Sequence, residues 1–448
     1  MKNLTSLRRI RLGLICSALF ISACAGTEPA ENNEETELSS EENIDCGEGY
    51  CVLSGTITED LTLTADTDWL LRGGVYIGDD INETILTIEP GTTIYGESST
   101  NGMLVITRSS KIVAEGTVER PIVFTSSKEE GQRARGDWGG VIINGRAPIN
   151  GCDTSPCEAF GEGGTGYYGG SDSEDNSGVI KYVRVEFAGR LVSPDNELNA
   201  IAFQGVGSGT EIDYLQGHMG KDDCVEFFGG TAQAKHVLCT GIADDSLDWT
   251  DGWTGKIQYM IIEQFGDAGD NGIEADNNGE DNASSPRSFP TISNLTIIGA
   301  EGSEFSDIGI LLREGTAAHI ANAVVTGWGE GCLDIDHDET FSNAISDGEL
   351  TGNLWVEHSV FDCDTNFVEE DGDLVTIEDF VMTLNEGNVS GNPELGDLET
   401  PDYRPQSGGL SASGAVVPND SFFDQVTFRG AVDPANDWTA GWTTRIRN

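Results

Sequence analysis

The chain has 448 residues, of which 24 are lysine or arginine and 77 aspartate or glutamate, a formal net charge of −53 at pH 7. Phosphate binding needs clustered basic side chains, so this balance argues against nucleic acid as a partner. It suits divalent cations, a basic partner, or a salty habitat in which screening shortens every repulsion.

Lys2, Arg8, Arg9 and Arg11, followed by an apolar stretch over residues 12–20, read as an export signal too short to span a bilayer. The stretch ends in Ile21-Ser22-Ala23-Cys24, which resembles the lipobox of bacterial lipoproteins. That resemblance implies removal of residues 1–23 and acylation of Cys24. Ala25 and Gly26 follow, without the aspartate that by analogy retains lipoproteins in the inner membrane, so the expected address is the outer membrane, lipid-anchored and surface-exposed. Loss of the leader would remove four bases and leave 20 (24 − 4) against 77 acids. Residues 24–45 are acidic and polar without apolar period, and predict a disordered tether.

Eight cysteines remain, in near pairs: Cys46 with Cys51, Cys152 with Cys157, Cys224 with Cys239, Cys332 with Cys363. An even count in an exported chain implies disulfides, with short-range pairing the simplest arrangement among several that the sequence leaves open. No Cys-x-x-Cys occurs and the five histidines are scattered, which disfavours zinc.

From about residue 50 the text turns to short β-branched runs broken by Gly, Asn and Asp, such as Ile85-Leu86-Thr87-Ile88 and Met103-Leu104-Val105-Ile106, the pattern of strands and turns. Then come the run from Gly116-Thr117 through Pro121-Ile122 to Phe124-Thr125-Ser126, the run Gly136-Asp137-Trp138-Gly139-Gly140, and the closing Trp438-Thr439-Ala440-Gly441-Trp442. These segments resemble right-handed parallel β-helix proteins exported by Gram-negative bacteria. The likeness covers nearly everything after residue 50 and implies one all-β domain over residues 46–448, a single-stranded solenoid with loop insertions. Insertions are expected at 150–176, held by the Cys152/Cys157 pair, and at 276–290. Between 364 and 421 the strand rhythm fails, and residues 375–384 predict a short helical turn, an irregular insertion or cap. Trp438 and Trp442 are expected to close the C-terminal end of the solenoid.

Within the solenoid Asp223, Asp245 and Asp267 are 22 residues apart, and so are Glu226, Asp248 and Asp270 (248 − 226 = 270 − 248 = 22). A fixed period of this size stacks equivalent residues at about 4.8 Å. These six acids are therefore candidate calcium ligands, since hard cations take six to eight oxygens. The alternative is that they build turns by hydrogen-bonding local backbone. Asp276 to Asn282 and Asp334 to Asp338 carry only loose likeness to calcium loops.

For catalysis, Asp244 and Asp245 resemble the paired aspartates of polygalacturonase-type hydrolases, but the surrounding motif order differs: Gly217-His218 precedes the pair. A lyase would use Lys221 or Arg313 as base beside bound calcium. Trp249 and Trp253, next to the acidic corners, are candidate sugar-stacking rings. The reading that these features support is a monomeric surface lipoprotein that binds or displays an extracellular polysaccharide or an outer-membrane protein, with polysaccharide cleavage and an adhesin-like spacer as the alternatives.

Overall fold

A computed structural model describes residues 43–448 except 153, 194–195, 370–374 and 399. The export signal, Cys24 and nearly all of the acidic tether lie outside those residues. Among the described residues no helix is long and apolar enough to cross a membrane.

Three parallel ladders wind as a right-handed β-helix, each rung giving one strand to ladder A, then B, then C. Period-2 alternation sorts the side chains. In ladder C, Val225–Phe228 and Leu247–Thr250 send Val225, Phe227, Leu247 and Trp249 into the bore, while Glu226 and Asp248 between them face outward. The bore is continuous and apolar from Leu53 to Phe361.

Ladders A and B join through single residues. Gly178–Glu186, Glu211–His218, Gln233–Thr240, Lys256–Glu263 and Thr291–Ile298 each run through both ladders. They bend at Tyr182, Tyr214, His236, Tyr259 and Asn294, where φ lies between 49° and 66°. A left-handed residue with a side chain costs on the order of 1–2 kcal/mol. Stacking along the solenoid offsets this: ring centroids are 4.3 Å apart for Tyr182 and Tyr214, 4.3 Å for Tyr214 and His236, and 4.9 Å for His236 and Tyr259. Each such pair contributes about 0.5–1.5 kcal/mol beyond area burial.

The two ends are closed differently. At the start Ile44–Cys46 folds back antiparallel on Tyr50–Ile57. At the far end a helical turn at Asp379–Leu384, within the stretch expected to be helical, inserts Phe380 and Val381 under the last rung, and Asn385 accepts from the Val356 amide. Trp438 and Trp442 therefore do not close the end. The chain after about residue 390 returns along the A/B corner as a strap: Asn322 exchanges two hydrogen bonds with Val416, Asn294 donates to Phe428, Gln216 bonds Thr444 both ways, and His218 meets the Ile446 carbonyl. Trp442 sits edge-on to Tyr182 and Tyr214, and Trp438 edge-on to His236. Apolar and aromatic corner residues could not face water over four rungs, and the strap covers them.

All four disulfides pair as the spacing suggested. Cys224–Cys239 closes 15 residues inside the bore and fixes the turn that carries Asp222 and Asp223. Replacing both cysteines by alanine is expected to lower unfolding stability by about 3 kcal/mol, the loop-closure value for that separation. A denaturant midpoint unchanged from wild type would show that the turn holds itself.

Candidate metal centre

Register decides which acids meet. Val225 pairs with Leu247, a step of 22, but Leu247 pairs with Ile273, a step of 26 (273 − 247). One extra residue before Lys256 and three in the turn after Glu263 make the difference. The 22-residue phase thus holds for Asp223 with Asp245 and for Glu226 with Asp248, then fails. On the next rung Asp270 stands in phase with Asp244, Asn271 with Asp245, and Glu274 with Asp248. Asp270 keeps a place in the array, two rows away from the expected one, beside Asp244 and not Asp248. Asp267 leaves it: its carboxylate accepts two hydrogen bonds from Arg135, at 2.9 and 3.2 Å, which hold its pKa below the usual range.

The acids form three rows on the outer edge of ladder C: Asp222, Asp244, Asp270; Asp223, Asp245, Asn271; and Glu226, Asp248, Glu274. Glu162, in the insertion after ladder C, and Glu197, in a hairpin, wall the near end. Glu162, Glu197, Asn199 and most of the array line a cleft of about 270 Å³. Carboxylate oxygens of Asp223, Asp245 and Asp248 lie within 4.8 Å of one another; so do those of Glu197, Asp222 and Asp244, and those of Asp244, Asp245 and Asp270.

Part of this array is turn chemistry. Asp223 Oδ1 accepts the Asp245 amide at 3.2 Å, and Asp245 Oδ1 accepts the Asn271 amide at 2.7 Å, each carboxylate capping the next rung. Asn199 donates to Glu226. Those bonds do not balance the site. Asp248 Oδ1 and Asn271 Oδ1 are buried with no hydrogen-bond partner, where buried acceptors are normally paired.

Charge is the larger imbalance. Burial, reinforced by Glu197 and Asp244, pushes Asp222 up to about 8. Burial also pushes Asp270 and Asp276 up to about 7. Asp223, Glu226, Asp245 and Asp248 lie well above the carboxylate range, first from burial and then from the neighbouring carboxylates of the cleft. Arg313 is the cation bonded to this group, donating to Glu274 and, at 2.9 Å, to Asp276. It is held in ion pairs and stands as a counter-charge, not an available base. Burial raises Asp244, and the charge of Lys221, exposed at the rim, opposes that rise only in part.

The stacking rings are a correction. Trp249 and Trp253 are 0% exposed. Trp249 donates to Thr316, and Trp253 stacks on Phe227 with centroids 4.2 Å apart. Residues adjacent to a carboxylate on a strand point the opposite way, so Trp249 beside Asp248 had to enter the bore. Trp253 comes from the turn that follows, where it also donates to the Ala232 carbonyl. Sequence reasoning also missed Glu162, Glu197 and Glu274. Ile273-Glu274-Ala275 repeats the in-out-in pattern of Val225-Glu226-Phe227 and could have found Glu274; Glu162 and Glu197 lie in insertions without period. The 276–282 loop closes on itself, Asn277 donating to the Asn282 and Ser284 carbonyls.

A family model described as a pectate-lyase-like beta helix domain matches residues 55–443. Comparison with the curated proteins and with the solved structures gave no match.

Proposed function

Because this chain belongs to the pectate-lyase-like beta helix family, we propose that its acidic cleft is a divalent-cation site through which the protein binds an acidic polysaccharide at the cell surface without cleaving it. The observation that carries this reading is three overlapping sets of carboxylates within 4.8 Å, beside buried oxygens that have no hydrogen-bond partner among the described residues. An all-oxygen, carboxylate-rich set of adjustable side chains suits calcium, which takes six to eight oxygens in flexible geometry, better than magnesium, which demands a near-ideal octahedron. Asp223, Asp245 and Asp248 would hold one ion, and Glu197, Asp222 and Asp244 a second.

Calcium there reverses the sign of the cleft. Without it the carboxylates repel a uronate; with it, a uronate carboxylate completes the coordination. Binding in place of cleavage is the reading that Arg313 supports, since it is engaged by two acids and is no available base. Lys221, exposed at the rim, is the remaining candidate base, and an assay for unsaturated product decides its role. Cys24, with its acyl chains, would hold the domain at the outer membrane, and the acidic tether would carry it clear of the surface.

The test is retention of uronate oligosaccharides by the protein with calcium and with chelator, scored for unsaturated products in parallel. Calcium-dependent retention without product is expected. Asp245→Asn, which removes a charge from two of the three sets, should weaken it by on the order of 100-fold or more, since even outer partners of metal ligands cost 10–100-fold. Retention indifferent to calcium sinks the reading, and accumulation of unsaturated product replaces binding with elimination.

A further inference from the structure

We infer that the N-terminal end of the same outer face holds a second, cation-independent site for a neutral pyranose, built by Tyr76, Tyr167 and Asn144. It rests on the glycan reading only for the class of polymer; its chemistry is separate from the acidic cleft.

The site is a cavity of about 360 Å³, within the range of small-ligand pockets. Thr56, Tyr76, Thr107 and Asn144 supply its floor from four successive rungs of ladder C. Its roof is the hairpin Ala159–Phe160 with Tyr167–Tyr168, pinned by the Cys152–Cys157 disulfide. Tyr167 is 54% exposed yet fixed in orientation, with Phe160 edge-on at 5.0 Å and the Arg108 guanidinium 5.8 Å from its centroid. The Tyr76 hydroxyl donates to the Gly164 carbonyl at 3.2 Å, which ties floor to roof. Two held aromatic rings thus line the cavity, and aromatic rings are surfaces on which the C–H side of a sugar can pack.

The polar groups select the sugar. Asn144 is 1% exposed; its amide nitrogen donates to the Thr165 carbonyl at 2.7 Å, and its Oδ1 is buried with no partner. A hydroxyl donor from a ligand would satisfy that oxygen, and a carboxylate would not. Asp79 is held by the amides of Ile81 and Asn82, at 3.0 and 2.8 Å. Asp80 is held by Arg108 through two bonds of 2.7 and 2.6 Å. Arg108 also donates to Glu158 and to the Gly169 carbonyl, so its charge is consumed. The rim therefore accepts hydroxyls and repels uronates, the reverse of a calcium-loaded cleft.

A single ladder C strand, Ile201–Gln204, separates the strand of Asn144 from that of Glu226. At about 4.8 Å per strand the facing edges of the two sites, at Asn144 and Glu226, are roughly 10 Å apart. One polymer carrying both neutral and acidic sugars could occupy both.

The experiment is saturation-transfer NMR and calorimetry on the full chain in excess chelator, with neutral gluco-, galacto- and manno-oligosaccharides and with uronate oligosaccharides as probes. At least one neutral series is expected to bind, and uronates are not. Tyr167→Ala should weaken that binding by about tenfold, the loss of one stacking face, while Tyr167→Phe retains it. The inference is overturned if no neutral oligosaccharide binds in chelator, if uronates bind there equally well, or if Tyr167→Ala leaves the affinity unchanged. Failure of the calcium reading looks different: uronate binding stays absent when calcium is added, while neutral binding is untouched.

Discussion

In chelator at constant ionic strength, the melting temperature of the protein is expected to fall by on the order of 5–10 °C between pH 5 and pH 8, and saturating calcium at pH 8 to restore it. The sign follows from the acids of the cleft. Their folded pKa values lie above the unfolded ones, to about 8 for Asp222 and about 7 for Asp270 and Asp276. The folded state thus binds more protons than the unfolded chain, so its stability is fully present below pH 4 for these groups and is lost as pH rises toward 8. Two effects oppose this at lower pH and set the window. His218, buried and pushed down to about 4, must stay neutral, so it costs stability as pH falls from 6.5. Acids such as Asp267 and Glu97 are lowered by arginine partners and lose their contribution only near and below pH 4. Between pH 5 and 8 the many raised carboxylates outweigh one histidine. Calcium adds about 4 kcal/mol per ion at a thousandfold excess over Kd, and magnesium should add less. A melting temperature flat across this window, or equal in chelator, calcium and magnesium, would show that the array is neutralised by its own protons and arginine and holds no ion.

Parts of this arrangement were legible because they are local. Alternation in Val225-Glu226-Phe227 and Leu247-Asp248-Trp249 marks strands with one wet face, and near pairs of cysteines mark short disulfides. The 22-residue phase was legible for one step, between rungs whose turns have equal length. It misled at Asp267 because turn length is not periodic: one residue before Lys256 and three after Glu263 shift the register to 26 while leaving the strand pattern intact. Aligning the bore residues Val225, Leu247 and Ile273 would have recovered it, since the apolar interior must stay in register whatever the turns do. The tryptophans near the acids were misassigned by counting neighbours along the chain and not across the pleat. Cleft walls from Glu162 and Glu197, and the pocket under Tyr167, depend on where insertions fold back, for which a single sequence carries no period.

The strap shows the same limit, and its removal is the second large effect. Trp442→Ala is expected to cost about 3–5 kcal/mol, the range for truncating a buried aromatic side chain. Trp442 is 1% exposed, donates to the Trp438 carbonyl at 2.9 Å, and receives at its own carbonyl a 2.7 Å bond from Arg184. Its ring lies edge-on against Tyr182 and Tyr214, two left-handed corner residues whose strain is repaid only while they stay stacked and dry. Losing it should free the segment from about 390 onward before the solenoid unfolds, because the bore itself contains none of that segment. Limited proteolysis should then cut within 405–420 at denaturant concentrations that leave the wild type intact, while the β-helix circular dichroism persists. A variant that loses under about 1 kcal/mol, with the strap as resistant as before, would mean that the tyrosine and histidine stack carries the corner alone and that the hydrogen bonds from Asn294, Asn322 and Gln216 suffice to hold the strap.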